Sequence, residues 1–300
     1  TNIFSFSEKP KNTWINPKKK PNRTEVMQVL IDFHTHIFPD AIAAKAIKSL
    51  QKGLVGKQGS EFTAHNDATI SGLLSSMQKN SVDISVVMPV VTRLGQTADI
   101  NAFAEKINAD YNSQGVISFA GIFPWQEDWE AEMERIKAKG FLGIKLHPEF
   151  QELYMDDPRA VKILQKAEEL DLCVMIHAGE DPGVFGPPYC SPLRLAKTLE
   201  KIKGDKIIAA HMGGWQCWDD VEKYLIGKNV WLDVSMAMDF LPKEQCERMI
   251  KAHGSEKILF GSDSPWQQPQ EILKFLRSME LSETDMANIT HKNAEKLLNL

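Results

Sequence analysis

The sequence predicts an α/β protein: a single parallel (β/α)8 barrel of the TIM type with a C-terminal helical extension. Three observations carry this. From Val29 onward, short apolar β-prone runs alternate with longer helix-patterned segments, and they do so eight times. The runs are apolar almost throughout, as strands buried on both faces are. The rival architecture, a doubly wound open sheet, usually carries a Gly-rich phosphate loop after its first strand, and here His34-Thr35-His36 stands in that place. A barrel of this kind takes about 250 residues as one domain, which a chain of 300 accommodates.

Taken in order, the strands are expected at 29–36, 84–90, 117–123, 143–147, 173–179, 207–213, 230–235 and 258–263. Between them, helical patterns span 40–50, 67–79, 99–112, 128–139, 157–170, 192–203, 219–226 and 242–253, and a last helical region over 269–300 closes the shell. Several begin on a capping residue such as Asp157, and Gly140 follows the fourth in the C-cap role.

Composition excludes several classes. Hydrophobic residues at 43% and charged residues at 25% argue against disorder, collagen or a low-complexity scaffold. The net charge of −5 gives no electrostatic ground for nucleic-acid or anionic-membrane binding. The longest uncharged stretch, Tyr111 to Gln126, is broken by Asn112, Ser113, Gln114 and Pro124, so no membrane span is expected. The four cysteines are scattered without a C-x-x-C pair, which suits a reducing, cytoplasmic setting. Residues 1–26 differ from the rest: six basic residues against two acidic ones and three prolines make a basic leader, expected to be extended or disordered. It lacks the apolar core of a secretory signal. The barrel domain is assigned to 27–300. The partner expected is a small-molecule substrate, with a homo-oligomer left open.

The histidines fall in a pattern. Of eight, five (His34, His36, His147, His177 and His211) lie at the carboxyl ends of expected strands, joined by Asp263 at the end of the eighth. That rim is where barrels build active sites. Strand alternation places His34, His36 and Asp32 on one face, and an H-x-H there delivers two imidazoles to one metal ion. Nitrogen and carboxylate ligands without thiolate suit Zn, with Mn, Fe, Co or Ni as substitutes. His65, His253 and His291 have no such placement and are read as structural or solvent-facing. His253 ends a helix, where a partly positive imidazole favours the dipole.

The segments IDFHTH (31–36), GIKLHP (143–148), VMIHAG (174–179), AAHMGG (209–214) and LFGSDSPW (259–266) resemble the amidohydrolase superfamily. Within it, they are similar to the amidohydrolase-related branch that includes aminocarboxymuconate semialdehyde decarboxylase-like enzymes. The resemblance runs from about Met27 to the end. It implies one divalent metal ion held by His34, His36, His177 and Asp263. It also implies that Asp263 moves the proton of a metal-activated water and that His211 acts as a polarising or proton-donating group.

Lys145 and His147 share parity in the fourth strand. Lys145 is expected to pair with Asp32 rather than to bridge a second ion as a carbamate, and His147 to stand behind the ligands or face the substrate. The resemblance implies a metal-dependent hydrolase of an amide, ester or lactone; the alternative is a nonoxidative decarboxylase of an unsaturated or aromatic acid. Arg93, Trp125, Tyr189, Trp215 and Trp266 follow strand ends and are the candidates for substrate contact, Arg93 as a clamp for a carboxylate. Residues 180–192 are too rich in Pro and Gly for a helix and are expected to form an ordered loop over the site. A catalytically silent metal-binding barrel is disfavoured, because every implied ligand position is filled.

Overall fold

The computed structural model describes residues 29–54 and 62–300. The basic leader, 1–26, lies outside the described residues. Nine strands form eight staves: β1 (Ile31–Thr35), β2 (Ile84–Val87), β3 (Val116–Ser118), β4 (Ala120–Gly121), β5 (Gly143–Leu146), β6 (Cys173–Ile176), β7 (Ile207–Ala209), β8 (Trp231–Asp233) and β9 (Ile258–Leu259). The third stave is split at Phe119, whose N–H donates to the Val87 carbonyl at 2.9 Å. All neighbours are parallel, in the order β1-β2-β3 and β4 through β9. The sheet closes where Phe33 N donates to Phe260 O at 2.8 Å and His36 N to Ser264 O at 2.6 Å. This is the expected (β/α)8 barrel.

The helices are α1 (Asp40–Leu54), α2 (Ile70–Asn80), α3 (Thr97–Tyr111), α4 (Trp129–Ala138), α5 (Pro148–Gln151), α6 (Pro158–Glu169), α7 (Pro192–Leu199), α8 (Trp218–Tyr224), α9 (Lys243–His253), α10 (Pro269–Arg277), α11 (Glu283–Ala287) and α12 (Asn293–Leu298). Asp157 caps α6 by accepting from Arg159 N, as its sequence position suggests. The second helix starts three residues later than expected because Thr69 takes the cap, accepting from Gly72 N. The final helical region breaks into α10, α11 and α12, with one turn of π-helix at Asn288–Lys292. Among the described residues, no helix is long and apolar enough to cross a membrane.

Two apolar layers hold the barrel. Outside, sheet residues such as Leu146, Ile176, Leu232 and Phe260 pack under the helices with Leu73, Ile163, Leu195 and Ile250. Inside, Ile31, Phe33, Val86, Ile117, Phe119, Met175, Ile208 and Trp231 fill the lumen together with Ala294, Leu297 and Leu298 of α12. The C-terminal helix thus plugs the end of the barrel where the strands begin, which leaves the opposite end for chemistry.

One expectation fails in β1. Asp32 pairs with Ser85 and Thr35 with Val87, so three steps on β1 match two on β2. This β-bulge breaks the alternation. Ile31 and Phe33 point into the lumen ahead of it, and Asp32 between them turns instead to Ser262, whose N–H donates to Asp32 Oδ1 at 2.9 Å. Asp32 therefore does not share a face with His34 and His36.

Candidate metal centre

The C-terminal ends of six strands bring the chemistry together. His34 lies in β1 and His36 just past it, Lys145 lies in β5 and His147 just past it, His177 follows β6, His211 follows β7, Asp233 ends β8 and Asp263 follows β9. His211 and Asp263 have φ of 61° and 52°, a left-handed conformation uncommon outside glycine. Neighbouring bonds hold His211 there: its N–H donates to Asp233 Oδ1 at 3.0 Å, and the next N–H, of Met212, donates to Asp233 O at 2.7 Å.

Hydrogen bonds assign the ring protons. Asp233 Oδ2 lies 2.8 Å from His34 Nδ1. Burial works against the Asp233 charge, yet His34 and the Ser235 hydroxyl hold the carboxyl well below its usual range, so it is an acceptor. His34 then carries its proton on Nδ1 and keeps a lone pair on Nε2. That lone pair faces His36 Nε2 at 3.2 Å and Asp263 Oδ1 at 3.5 Å, and His36 Nε2 is 3.0 Å from Asp263 Oδ1. Burial disfavours the Asp263 charge as well, but His34 and His36 outweigh it and keep the group ionised.

The same logic fixes the second pair. The single proton of Ser235 Oγ goes to Asp233 Oδ1, so His211 Nδ1 donates to Ser235 Oγ at 2.9 Å and its Nε2 is left unprotonated. His177 Nε2 donates to the Glu180 carbonyl at 3.1 Å, which leaves a lone pair on Nδ1. Burial lowers both rings, His211 to about 4, so both are neutral near pH 7. His177 Nδ1 and His211 Nε2 thus confront each other at 3.1 Å with lone pairs on both sides. Such an arrangement asks for a cation. A donor set of imidazole nitrogens and a carboxylate, with a carboxylate behind one histidine, fits a divalent transition metal.

Of the four ligands expected, the structure gathers His34, His36 and Asp263 into one compact triad. His177 stands beside it, turned to His211. Lys145 is buried, and burial lowers it to about 8 although Asp263 and Asp233 pull it up. Its Nζ lies 3.1 Å from His34 Nε2, so the expected pairing with Asp32 is replaced by contact with the histidine cluster. His147 is stacked between Phe150 (4.0 Å) and His177 (4.2 Å), with Nε2 3.7 Å from Asp181 Oδ2. His147, His177 and Asp181 are close enough to hold an ion. His177 Nε2 is already committed to Glu180 O, however, which argues against a second centre there.

The substrate-contact candidates separate. Trp215 is buried in an aromatic cluster with Phe62 (6.4 Å) and Phe240 (5.3 Å). The cluster is built from loops on the carboxyl-end side of the strands: Trp215 is four residues past His211, Phe240 follows β8, and the Phe62 loop is tied to the segment after Asp263 through Asn66 Nδ2 to Ser264 Oγ at 3.0 Å. Trp266 is half-buried and anchored by its N–H to Asp263 O at 2.9 Å. Tyr189 stacks on Tyr154 at 4.4 Å, with its N–H on Glu149 Oε1 at 2.9 Å. Burial keeps that Glu149 carboxyl raised to about 8. Trp125 is at the rim, 43% exposed, with Nε1 donating to Gln151 O at 2.7 Å. Arg93 is exposed, and its backbone is bonded to Gln96 Oε1, so the structure does not place it in the cluster. The 180–192 segment is an ordered loop, pinned by Gly179 N to Cys190 O and Glu180 N to Trp215 O, both 2.9 Å.

The sequence reading missed Asp233, Ser235, Phe62 and Phe240. For the first two a signal existed: they sit two apart at the carboxyl end of the seventh run, the placement that singled out the histidines. It also misjudged His253. Gly227 N donates to its Nδ1 and its Nε2 donates to Val230 O, so it is a neutral buried linker rather than a partly positive helix cap.

Known proteins share this fold. No curated protein matches the chain significantly in sequence. Among solved structures, an uncharacterized TIM-barrel protein from Bordetella bronchiseptica is 17% identical with a TM-score of 0.70, covering 90% of this chain and 98% of that one. A 2,6-dihydroxybenzoate decarboxylase from Rhizobium is 17% identical with a TM-score of 0.63 over 91% of this chain and 99% of that one. A 5-carboxyvanillate decarboxylase from Novosphingobium aromaticivorans, solved with manganese and 4-hydroxy-3-methoxy-5-nitrobenzoic acid, is 17% identical with a TM-score of 0.66 over 91% and 97%. At such identities the likeness shows the fold. The amidohydrolase family model, however, matches residues 31–300, the entire barrel with its H-x-H strand and its Asp263 terminus, and the chain belongs to the amidohydrolase family.

Proposed function

We propose that this protein is a metal-dependent, nonoxidative decarboxylase of a planar aromatic or unsaturated carboxylic acid. What supports the reading is the His34–His36–Asp263 triad with His211 at the strand ends, together with an aromatic cluster of Phe62, Trp215 and Phe240 carried by loops on the same side of the barrel. Aromatic side chains at that end suit a flat ring, and the decarboxylases of similar fold are a 2,6-dihydroxybenzoate decarboxylase and a 5-carboxyvanillate decarboxylase. His34, His36 and Asp263 would hold the ion, with His177 as fourth ligand. Zn suits the donors, and Mn is the ion bound by the decarboxylase of similar fold. A bound divalent ion supplies Lewis acidity that anchors an anionic substrate and draws electron density from it.

The chain's own groups handle the proton. Decarboxylation adds a proton to the ring carbon, breaks its bond to the carboxylate, and releases CO2 as the bonding electrons return to the ring. His211 is neutral in the free site and accepts a proton at Nε2; its Nδ1–H is held by Ser235, which is bonded to the Asp233 carboxylate, so the imidazolium is stabilised as it forms. An anionic substrate nearby favours that charged form, which then protonates the ring carbon.

A second reading, hydrolysis of an ester or lactone, is favoured by one observation: the Asp263 carboxylate stands among the candidate ligands, Oδ1 3.0 Å from His36 Nε2, where it would take the proton of an activated water. The test is CO2 release from a panel of hydroxylated and methoxylated benzoates by Zn- and Mn-loaded protein, run beside a panel of lactones and esters. Metal-dependent CO2 release lost in His211→Asn supports decarboxylation. Metal-dependent hydrolysis with no CO2 from any acid overturns it.

A further inference from the structure

We propose that Asp32 is a positioning residue that sets the distance between the β1 histidines and Asp263 by pinning the seam where the barrel closes. The inference rests on reading His34, His36 and Asp263 as metal ligands.

The seam is short of backbone bonds. Phe33 N to Phe260 O and His36 N to Ser264 O join β1 to the chain beyond β9, and the β1 bulge falls between them. Residues 261–263, which lead to the carboxylate, run across that gap. Each has its own constraint. A Cβ on Gly261 would stand 2.9 Å from His34 Cβ, so only glycine lets β1 approach this closely. Ser262 is gripped at two points by Asp32, its N–H on Oδ1 at 2.9 Å and its hydroxyl on Oδ2. The same Oδ1 takes His34 N at 3.3 Å, and Ser262 Oγ accepts Ser264 N at 3.1 Å. Asp263 then turns into the left-handed region. One buried carboxylate thus bonds the backbone of a candidate ligand on β1 and both polar groups of the residue preceding a candidate ligand on the other side. A 2.8 Å backbone bond closes the barrel just below, so Asp32 is not needed to close it.

Metal affinity is the measurement, by chelator competition with Zn2+ on folded protein, together with the visible absorption of the Co2+ form as a report of ligand geometry. Asp32→Ala is expected to weaken Zn2+ binding by about 10–100-fold, the usual effect of removing a partner that orients metal ligands, and to alter the Co2+ bands. Asp32→Asn keeps one acceptor oxygen and Ser262→Ala keeps the bond to Ser262 N, so both should weaken binding less. Asn108→Ala, which removes half-buried bonds to Ser118 on β3, away from the seam, should lower stability and leave affinity and spectrum unchanged. Should Asp32→Ala not fold, the milder pair decides. Wild-type Zn2+ affinity and Co2+ bands in Asp32→Asn and Ser262→Ala overturn the inference alone. Failure of the wild-type protein to bind stoichiometric metal overturns the ligand assignment and the inference with it.

Discussion

Asp233 Oδ2 lies 2.8 Å from His34 Nδ1, while Asp233 Oδ1 accepts the backbone N–H of His211 at 3.0 Å. One fully buried carboxylate therefore governs two histidines on different strands, accepting the His34 Nδ1–H so that the ring proton stays on the face turned away from the cluster, and fixing the backbone that carries His211. Asp233→Asn can present an amide N–H to His34 Nδ1, which drives the ring proton to Nε2 and blocks its lone pair. Metal affinity is expected to fall by about 10–100-fold. Chelator competition measures it, and an unchanged affinity would show that Asp233 serves packing alone.

Ser235 makes a separate prediction, because its hydroxyl alone connects His211 Nδ1 to that carboxylate. In Ser235→Ala, His211 loses its acceptor and its Nδ1–H tautomer is no longer enforced. The 15N shifts of the His211 ring should move from a single Nδ1–H pattern toward a mixture. Turnover of any acid found in the CO2 screen should drop by about 10–100-fold, at the lower end of what a positioned proton donor contributes. Retention of both the tautomer and the rate would refute the relay.

The architecture was legible because its signal is repeated: eight apolar runs, each separated by a helix-length segment, specify parallel staves whatever the details of any one of them. Strand-end position then found His34, His36, His177, His211 and Asp263 for a physical reason, since the last residues of parallel strands converge on one rim. The β1 bulge was not legible. Strict alternation is the only geometry a run such as IDFHTH states, and the extra residue that turns Asp32 away to Ser262 is set by how β1 meets β2 and the chain beyond β9. Phe62 and Phe240 escaped notice because loops carry no periodicity, and their 5.8 Å stacking arises only once two loops 178 positions apart converge. Arg93 follows a strand end, as its sequence position states, on an exposed loop whose backbone is held through Gln96.

The plug of the barrel offers a test that separates scaffold from site. Leu298 is fully buried in the lumen cluster at the end remote from the metal candidates. Leu298→Ala is expected to destabilise the protein by about 2–5 kcal/mol, read by urea unfolding. Stoichiometry and affinity for Zn2+ should be unchanged in the folded variant. Coupled loss of metal affinity would mean that the plug and the catalytic rim are not independent.

His253 yields a pH prediction outside the metal cluster. Its Nδ1 accepts Gly227 N at 3.1 Å and its Nε2 donates to Val230 O at 2.8 Å, bonds that only the neutral ring makes together. Burial lowers its pKa from 6.5 in the folded protein. The unfolded chain therefore binds the proton more readily, so the stabilisation is complete above about pH 6.5 and is lost as the pH falls from there toward the folded value. One buried and one half-buried hydrogen bond make it worth about 1–3 kcal/mol near neutrality. Because other groups titrate too, the informative quantity is the stability difference between wild type and His253→Ala by urea unfolding. That margin should be larger at about pH 7.5 than at about pH 5. A margin independent of pH would mean that the ring is charged in the folded state and that one of its two hydrogen bonds is absent.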